Sequence, residues 1–349
     1  MSTAVESRPE TAVETYRAVQ AVEPGRLALA QLPQRTPGPG HVRVRVEACG
    51  VCHSDAVTVE ALMPIDFPRV PGHEAVGRID TVGDGVTGWA VGQRVGVGFL
   101  GGQCGHCARC RRGDFVNCLD QPVTGAHVDG GYAEVLIARE TGLVAIPDEL
   151  NSVEAAPLLC AGITTFNALR NSGARAGDLV AVLGIGGLGH LGVQYARRMG
   201  FRVVAIARGA EKEPLARELG AHEYIDGVAR DPAAELSSLG GAQVILATAS
   251  SAEAMSALIP GLAPRGELIA VGADAEPIRA TTSDLIFGER SVAGRLTGSA
   301  ADNDDTLAFS VLHGVRARIE VVPLAEAPAA YARMMSNQAR FRMVLDTTR

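Results

Sequence analysis

Four of the chain's seven cysteines, Cys104, Cys107, Cys110 and Cys118, fall within fifteen residues. Four thiolates at this spacing can close a tetrahedral shell around one zinc ion without help from the rest of the chain. The remaining three lie near different chemistry: Cys49, then Cys52 at the head of Cys52-His53-Ser54-Asp55, and Cys160 in Leu159-Cys160-Ala161-Gly162. A catalytic zinc takes three protein ligands and keeps one position open. Cys52, His73 and Cys160 are the candidates for that second site, each in a glycine-rich or turn-like context at the end of a strand pattern. Taken singly, each has a plainer reading: cysteine is often a small buried apolar residue, and a histidine after Pro71-Gly72 can simply satisfy a turn. Two metals are therefore the expectation, one closed and one open.

Gly184-Ile185-Gly186-Gly187-Leu188-Gly189 follows the continuous apolar run Leu179–Leu183 and precedes a helical pattern over Leu188–Met199. Glycine is required where the backbone turns tightly, where it approaches a pyrophosphate and where helix packs on strand; the helix N-terminus then offers free N–H groups to the anion. With a second buried strand over Arg202–Ala207, this predicts a dinucleotide site. NAD sites place an acid at the end of that second strand. Here it ends Ile206-Ala207-Arg208-Gly209, and Lys212 follows. A missing carboxylate beside a guanidinium favours a 2′-phosphate, hence NADP over NAD, although Arg208 could be a solvent-facing loop residue.

The elements that must position these groups follow from pattern and composition. At 349 residues, two domains are expected. Short apolar runs cut by Gly and Pro up to about Pro147, such as the alternating Val42-Arg43-Val44-Arg45-Val46 entered by the turn Pro37–Gly40, predict a β-rich domain. From about residue 155, strands and helices alternate: a helix over Glu211–Leu219, strands over Val244–Thr248 and Leu268–Val271. This predicts a doubly wound parallel sheet. After about Gly294 the alternation fades, and Arg340–Leu345 reads as a strand returning to the first domain.

A net charge of −7 argues against nucleic-acid or anionic-membrane partners. The run Arg109, Arg111 and Arg112 reads as a solvated loop face. No apolar stretch approaches the ~20 residues that span a bilayer. The polar Met1–Thr15 reads as a tail lacking the apolar core of a signal peptide. A reducing, cytoplasmic setting follows, in which clustered cysteines favour zinc over disulfides.

Pro71-Gly72-His73-Glu74-Ala75-Val76-Gly77 with Gly83 and Val86, Gly50-Val51-Cys52-His53-Ser54-Asp55, the four-cysteine lobe, Leu159-Cys160-Ala161-Gly162-Ile163-Thr164 and the glycine loop together resemble the zinc-containing alcohol dehydrogenases of the medium-chain dehydrogenase/reductase superfamily. The motifs occur in the family's order over about residues 40–345. The resemblance implies an α/β fold with a Rossmann domain at 159–294 and a β-rich, GroES-like catalytic domain from 1–158 and 295–349. It implies that Cys52, His73 and Cys160 hold a catalytic zinc that Glu74 can ligate transiently, and that Asp55 fixes the zinc-bound His73. Ser54 would begin a proton relay, His53 and Arg342 would hold the cofactor pyrophosphate, and Thr164 would pack near the nicotinamide. Phe99 would wall the substrate pocket, and the four-cysteine zinc would be structural.

The implied reaction is hydride transfer between a primary or aromatic alcohol and NAD(P), with zinc as Lewis acid. The family's usual relay histidine is replaced by Glu60, which leaves open whether a carboxylate takes the proton or the relay ends at solvent. His127 and His190 read as structural, and Cys49 as a buried thiol. Two alternatives stay open: a polyol or secondary-alcohol dehydrogenase on the same scaffold, and a non-catalytic dinucleotide-binding protein. A homodimer or homotetramer is expected from family habit.

Overall fold

The computed structural model describes residues 14–349; the stretch Met1–Val13, most of the expected polar tail, lies outside the described residues. Thr15 belongs not to a tail but to the first strand. A hairpin of β1 (Thr15–Glu23) and β2 (Arg26–Pro33) precedes the Pro37–Gly40 turn, so the strand after that turn is the third. The hairpin escaped the sequence reading because β2 is only half-buried and its apolar residues are mostly Ala and Leu, weak strand formers.

β3 (His41–Val51) carries the alternation seen in Val42–Val46, with the valines buried. It is the hub of a seven-stranded sheet with β4 (Ala75–Val82), β5 (Arg94–Val97), β6 (Val135–Arg139) and β7 (Leu143–Ala145). β3 and β4 are antiparallel with Cys49 opposite Ala75. Because the strands run in opposite directions, the exit of β3 and the entry of β4 share one end of the sheet. Cys52 and His73 therefore meet although twenty-one positions separate them.

The second sheet is built from β8 (Leu179–Leu183), β9 (Arg202–Ala207), β10 (Glu223–Asp226), β11 (Ala242–Ala247), β12 (Leu262–Ala270) and β13 (Ser291–Gly294). All its pairs are parallel, in the order β10-β9-β8-β11-β12-β13. β8 is buried along its whole length, as a strand covered by helices on both faces must be. The order reverses between β8 and β11, and a crevice opens at that switch point.

β14 (Ile319–Pro323) and β15 (Arg342–Asp346) then return to the first sheet. β15 pairs antiparallel with β3, Met343 opposite Val51, which brings Arg342 beside Cys52. No helix among the described residues is long and apolar enough to cross a membrane.

Candidate active site

Three pieces of chain converge on the end of the first sheet. Cys52 leaves β3 into the short 3-10 turn His53–Asp55. His73 and Glu74 lead into β4 through Gly72, whose φ of +98° suits glycine alone. Cys160 sits at the N-cap of the helix Ala161–Arg170. One ligand atom from each of Cys52, His73, Glu74 and Cys160 lies within 4.8 Å of the others, and all four residues are buried.

The fit to a metal is carried by unsatisfied atoms. His73 Nε2 and Glu74 Oε2 are buried without a hydrogen-bond partner, a costly state unless something fills the space between them. Asp55 Oδ1 lies 2.9 Å from His73 Nδ1. With that nitrogen donating, the Nε2 lone pair faces the cluster. Cys52 and Cys160 share a sulfur contact of 3.8 Å. Their hydrogen bond holds Cys52 well below the usual thiol range and pushes Cys160 up, and a bound cation would favour both as thiolates. Two sulfurs and one imidazole are a donor set suited to zinc.

Glu74 also accepts a hydrogen bond from Arg342 Nη2 in a fully buried pair. Burial pushes the Glu74 carboxyl up to about 7 against the pull of Arg342. The same guanidinium reaches toward Gly187: a Cβ there would sit 2.9 Å from Arg342 Nη1. Arg342 thus spans the metal cluster and the glycine loop.

That loop runs from β8 into the helix Gly189–Arg198. A side chain at Gly189 would collide with the Gly184 carbonyl, so helix and strand pack at a distance only glycine permits. Cys52, His53, Ser54, Phe99, Cys160, Thr164, Gly184, Gly186, Gly187, Leu188 and Arg342 all line one cleft of about 1420 Å³, joined at its far end by Arg208 and Lys212. His73, Glu74 and Asp55 stand behind this wall, and Gly189 opens the helix beneath it. Phe99 meets the His73 ring edge-on at 5.1 Å.

Glu60 is exposed, lies outside the cleft lining and accepts a hydrogen bond from Tyr331 at 3.0 Å. His190 Nδ1 donates to Gly186 O at 2.8 Å, and its Nε2 accepts from Arg318 N–H at 3.2 Å. His127 accepts from Val123 N–H at 3.0 Å, and Cys49 is buried. All three have structural surroundings.

Two residues in functional surroundings escaped the sequence reading. Glu211 lines the cleft with Arg208 and Lys212, a carboxylate on the turn Ala210–Lys212 that follows the strand end where an acid was sought. Tyr132 donates to Asp55 behind the metal cluster at 2.7 Å. Position in the loop could have flagged Glu211; nothing in the local sequence flagged Tyr132.

Cys104, Cys107, Cys110 and Cys118 lie on the loop between β5 and β6, their sulfurs within 4.8 Å of one another. Backbone N–H groups point at three of them: Cys107 N at Cys104, Cys110 N at Cys107 and Asp120 N at Cys118, each 3.4 Å. The N–H of Cys110 and that of Leu119 bring Cys107 down to about 6. Such N–H···S contacts favour thiolates, and four sulfurs this close could hold one metal ion in a closed shell. Arg109, Arg111 and Arg112 are exposed beside it, as a solvated loop face requires.

Residues 38–148 match the alcohol dehydrogenase GroES-like domain family, and residues 187–311 the zinc-binding dehydrogenase family. The chain is 44% identical to alcohol dehydrogenase patD of Penicillium expansum over 96% of its own length and 98% of that protein's. It is 40% identical to an alcohol dehydrogenase of Geobacillus stearothermophilus over 88% of this chain and 92% of that one. Among solved structures, a cinnamyl alcohol dehydrogenase of Sorghum bicolor superimposes with a TM-score of 0.87 at 32% identity, covering 96% of this chain and 98% of that one. With both domain families matched in order and relatives aligned over nearly their whole length, the chain belongs to the zinc-dependent alcohol dehydrogenases of the medium-chain dehydrogenase/reductase superfamily, oxidoreductases that bind zinc and a nicotinamide dinucleotide.

Proposed function

We propose that the protein is an NADP-preferring alcohol dehydrogenase and aldehyde reductase acting on primary or aromatic alcohols, with two zinc ions per subunit. The observation that carries this reading is the meeting, in one cleft, of the Cys52–His73–Cys160 cluster with the Gly184–Gly189 loop. When bound, zinc supplies Lewis acidity toward an alcohol or carbonyl oxygen, and the nicotinamide supplies or takes the hydride.

The chain's own residues do the rest. Cys52, His73 and Cys160 hold the metal, with Glu74 beside it. Asp55 keeps the His73 Nε2 lone pair aimed inward. Ser54, open to the cleft, takes the alcohol proton and passes it to solvent. The N-terminus of the helix Gly189–Arg198, with His53 and Arg342, receives the pyrophosphate. Thr164 packs at the nicotinamide end, and Phe99 gives an aromatic wall suited to aryl or medium-length substrates.

Support for NADP comes from Arg208 and Lys212 at the far end of the cleft, where a 2′-phosphate would be gripped. Glu211 beside them tempers the preference. The Cys104–Cys118 zinc is structural. We also read the chain as a catalytic domain from 1–158 and 295–349 around a dinucleotide domain at 159–294, working in the reducing cytoplasm. Edge strand β13 leaves its outer side unpaired among exposed Ile286, Phe287 and Leu296, which supports a dimer through that edge. Zinc analysis combined with NADPH and NADH titrations tests the reading. Two zincs and tighter NADPH binding support it; one zinc, or tighter NADH binding, contradicts the corresponding part.

A further inference from the structure

We propose that Tyr132 is a positioning residue for the catalytic metal, acting through Asp55 on His73. Tyr132 touches none of the four metal-cluster ligands by hydrogen bond. Its hydroxyl donates to Asp55 Oδ2 at 2.7 Å, and the Cys52 backbone N–H donates to the same oxygen at 2.9 Å. Asp55 Oδ1 is left for His73 Nδ1 at 2.9 Å. All three side chains are buried, so no water competes for these bonds. With two donors fixing one oxygen, the carboxylate cannot rotate, and its second oxygen sets both the tautomer and the plane of the imidazole.

The backbone binds the same parts a second time. Tyr132 N–H donates to Pro71 O at 3.0 Å, and Gly131 N–H to Gly72 O at 2.9 Å, so the loop carrying Tyr132 is zipped to the loop carrying His73. The Tyr132 ring fills the space a side chain at Gly72 would need. Ring and hydroxyl thus have separable duties. The ring packs the His73 loop, and the hydroxyl locks the carboxylate behind the histidine.

The inference rests on the reading that Cys52, His73 and Cys160 hold zinc. It is tested on the full-length protein with cobalt in place of zinc, because a two-sulfur, one-imidazole site and a four-sulfur site give different visible bands. Release of each metal into a chelator is then followed separately in the wild type, Tyr132→Phe, Asp55→Asn and the double variant. Tyr132→Phe keeps the ring and should release the Cys52–His73–Cys160 metal about tenfold faster, with its bands shifted. The four-cysteine metal should leave at the wild-type rate. In the Asp55→Asn background the same substitution should add nothing, since its route is already cut.

Unchanged release in Tyr132→Phe overturns the proposal. So does equal loosening of both sites, which would mark a general packing defect, and so does a full effect that persists without Asp55. A wild type that takes cobalt only at the four-cysteine lobe overturns the proposed function itself, and this inference with it.

Discussion

Ser54 lies on the short turn after Cys52 and Glu60 at the end of the helical turn Ala56–Val59 that follows, and of the two only Ser54 opens into the cleft. Ser54→Ala should cut turnover by about a hundredfold or more, the usual cost of losing a proton-transfer group. Glu60→Ala, which breaks only the Tyr331 contact, should stay within about twofold; steady-state kinetics near neutral pH compares the two. His190 gives a pH signature. Burial, helped by the nearby Arg342 and Arg318 charges, drives its pKa down to about 4 from the usual 6.5, against the pull of its hydrogen bond to Gly186 O. As pH falls, the unfolded chain takes the proton first. Stability is therefore intact above about 6.5 and drains between there and 4. Denaturant unfolding should show the wild type losing about 2–3 kcal/mol more than His190→Gln between pH 7 and 4.5. The metal-cluster residues were legible because thiol and imidazole chemistry restricts what such residues can do. Tyr132 was not, since a tyrosine in a glycine-rich turn gains its meaning only when a distant carboxylate folds beneath its hydroxyl.

Among the elements, the four-cysteine loop is the one we propose to take its shape from a bound ion. It has a single buried cysteine, Cys110, and little apolar packing of its own, with Leu119 exposed. Cys107→Ser should lower zinc content by one ion per chain and lower the thermal midpoint, as elemental analysis and calorimetry would report. Retained zinc and an unshifted midpoint would count against a structural role. Legibility followed burial. β8 was readable to the residue because five apolar residues in a row fit a doubly covered strand. The fourteen-residue helix Ala300–His313 was missed. Its buried face includes Asn303, Thr306 and Ser310, with Ser310 hydrogen-bonded to Tyr195 at 2.8 Å, so no apolar stripe marks it. The reciprocal cap between Ser299 and Asp302 was the available signal.

At the scale of the whole molecule, function depends on two sheets presenting their ends to one cleft. The crossing of β15 back to β3 is what sets Arg342 between metal cluster and glycine loop. If β13 is a subunit edge, Phe287→Glu should shift the protein to monomers in sedimentation experiments; an unchanged assembly would place the contact elsewhere. The most direct test is the initial rate of NADPH and NADH oxidation with aliphatic and aromatic aldehydes, before and after the Cys52–His73–Cys160 metal is stripped and after zinc is restored. The expected result is turnover about tenfold or more faster with NADPH, lost on stripping and regained with zinc. Aldehyde reduction that survives removal of that metal would contradict the assignment of the cleft.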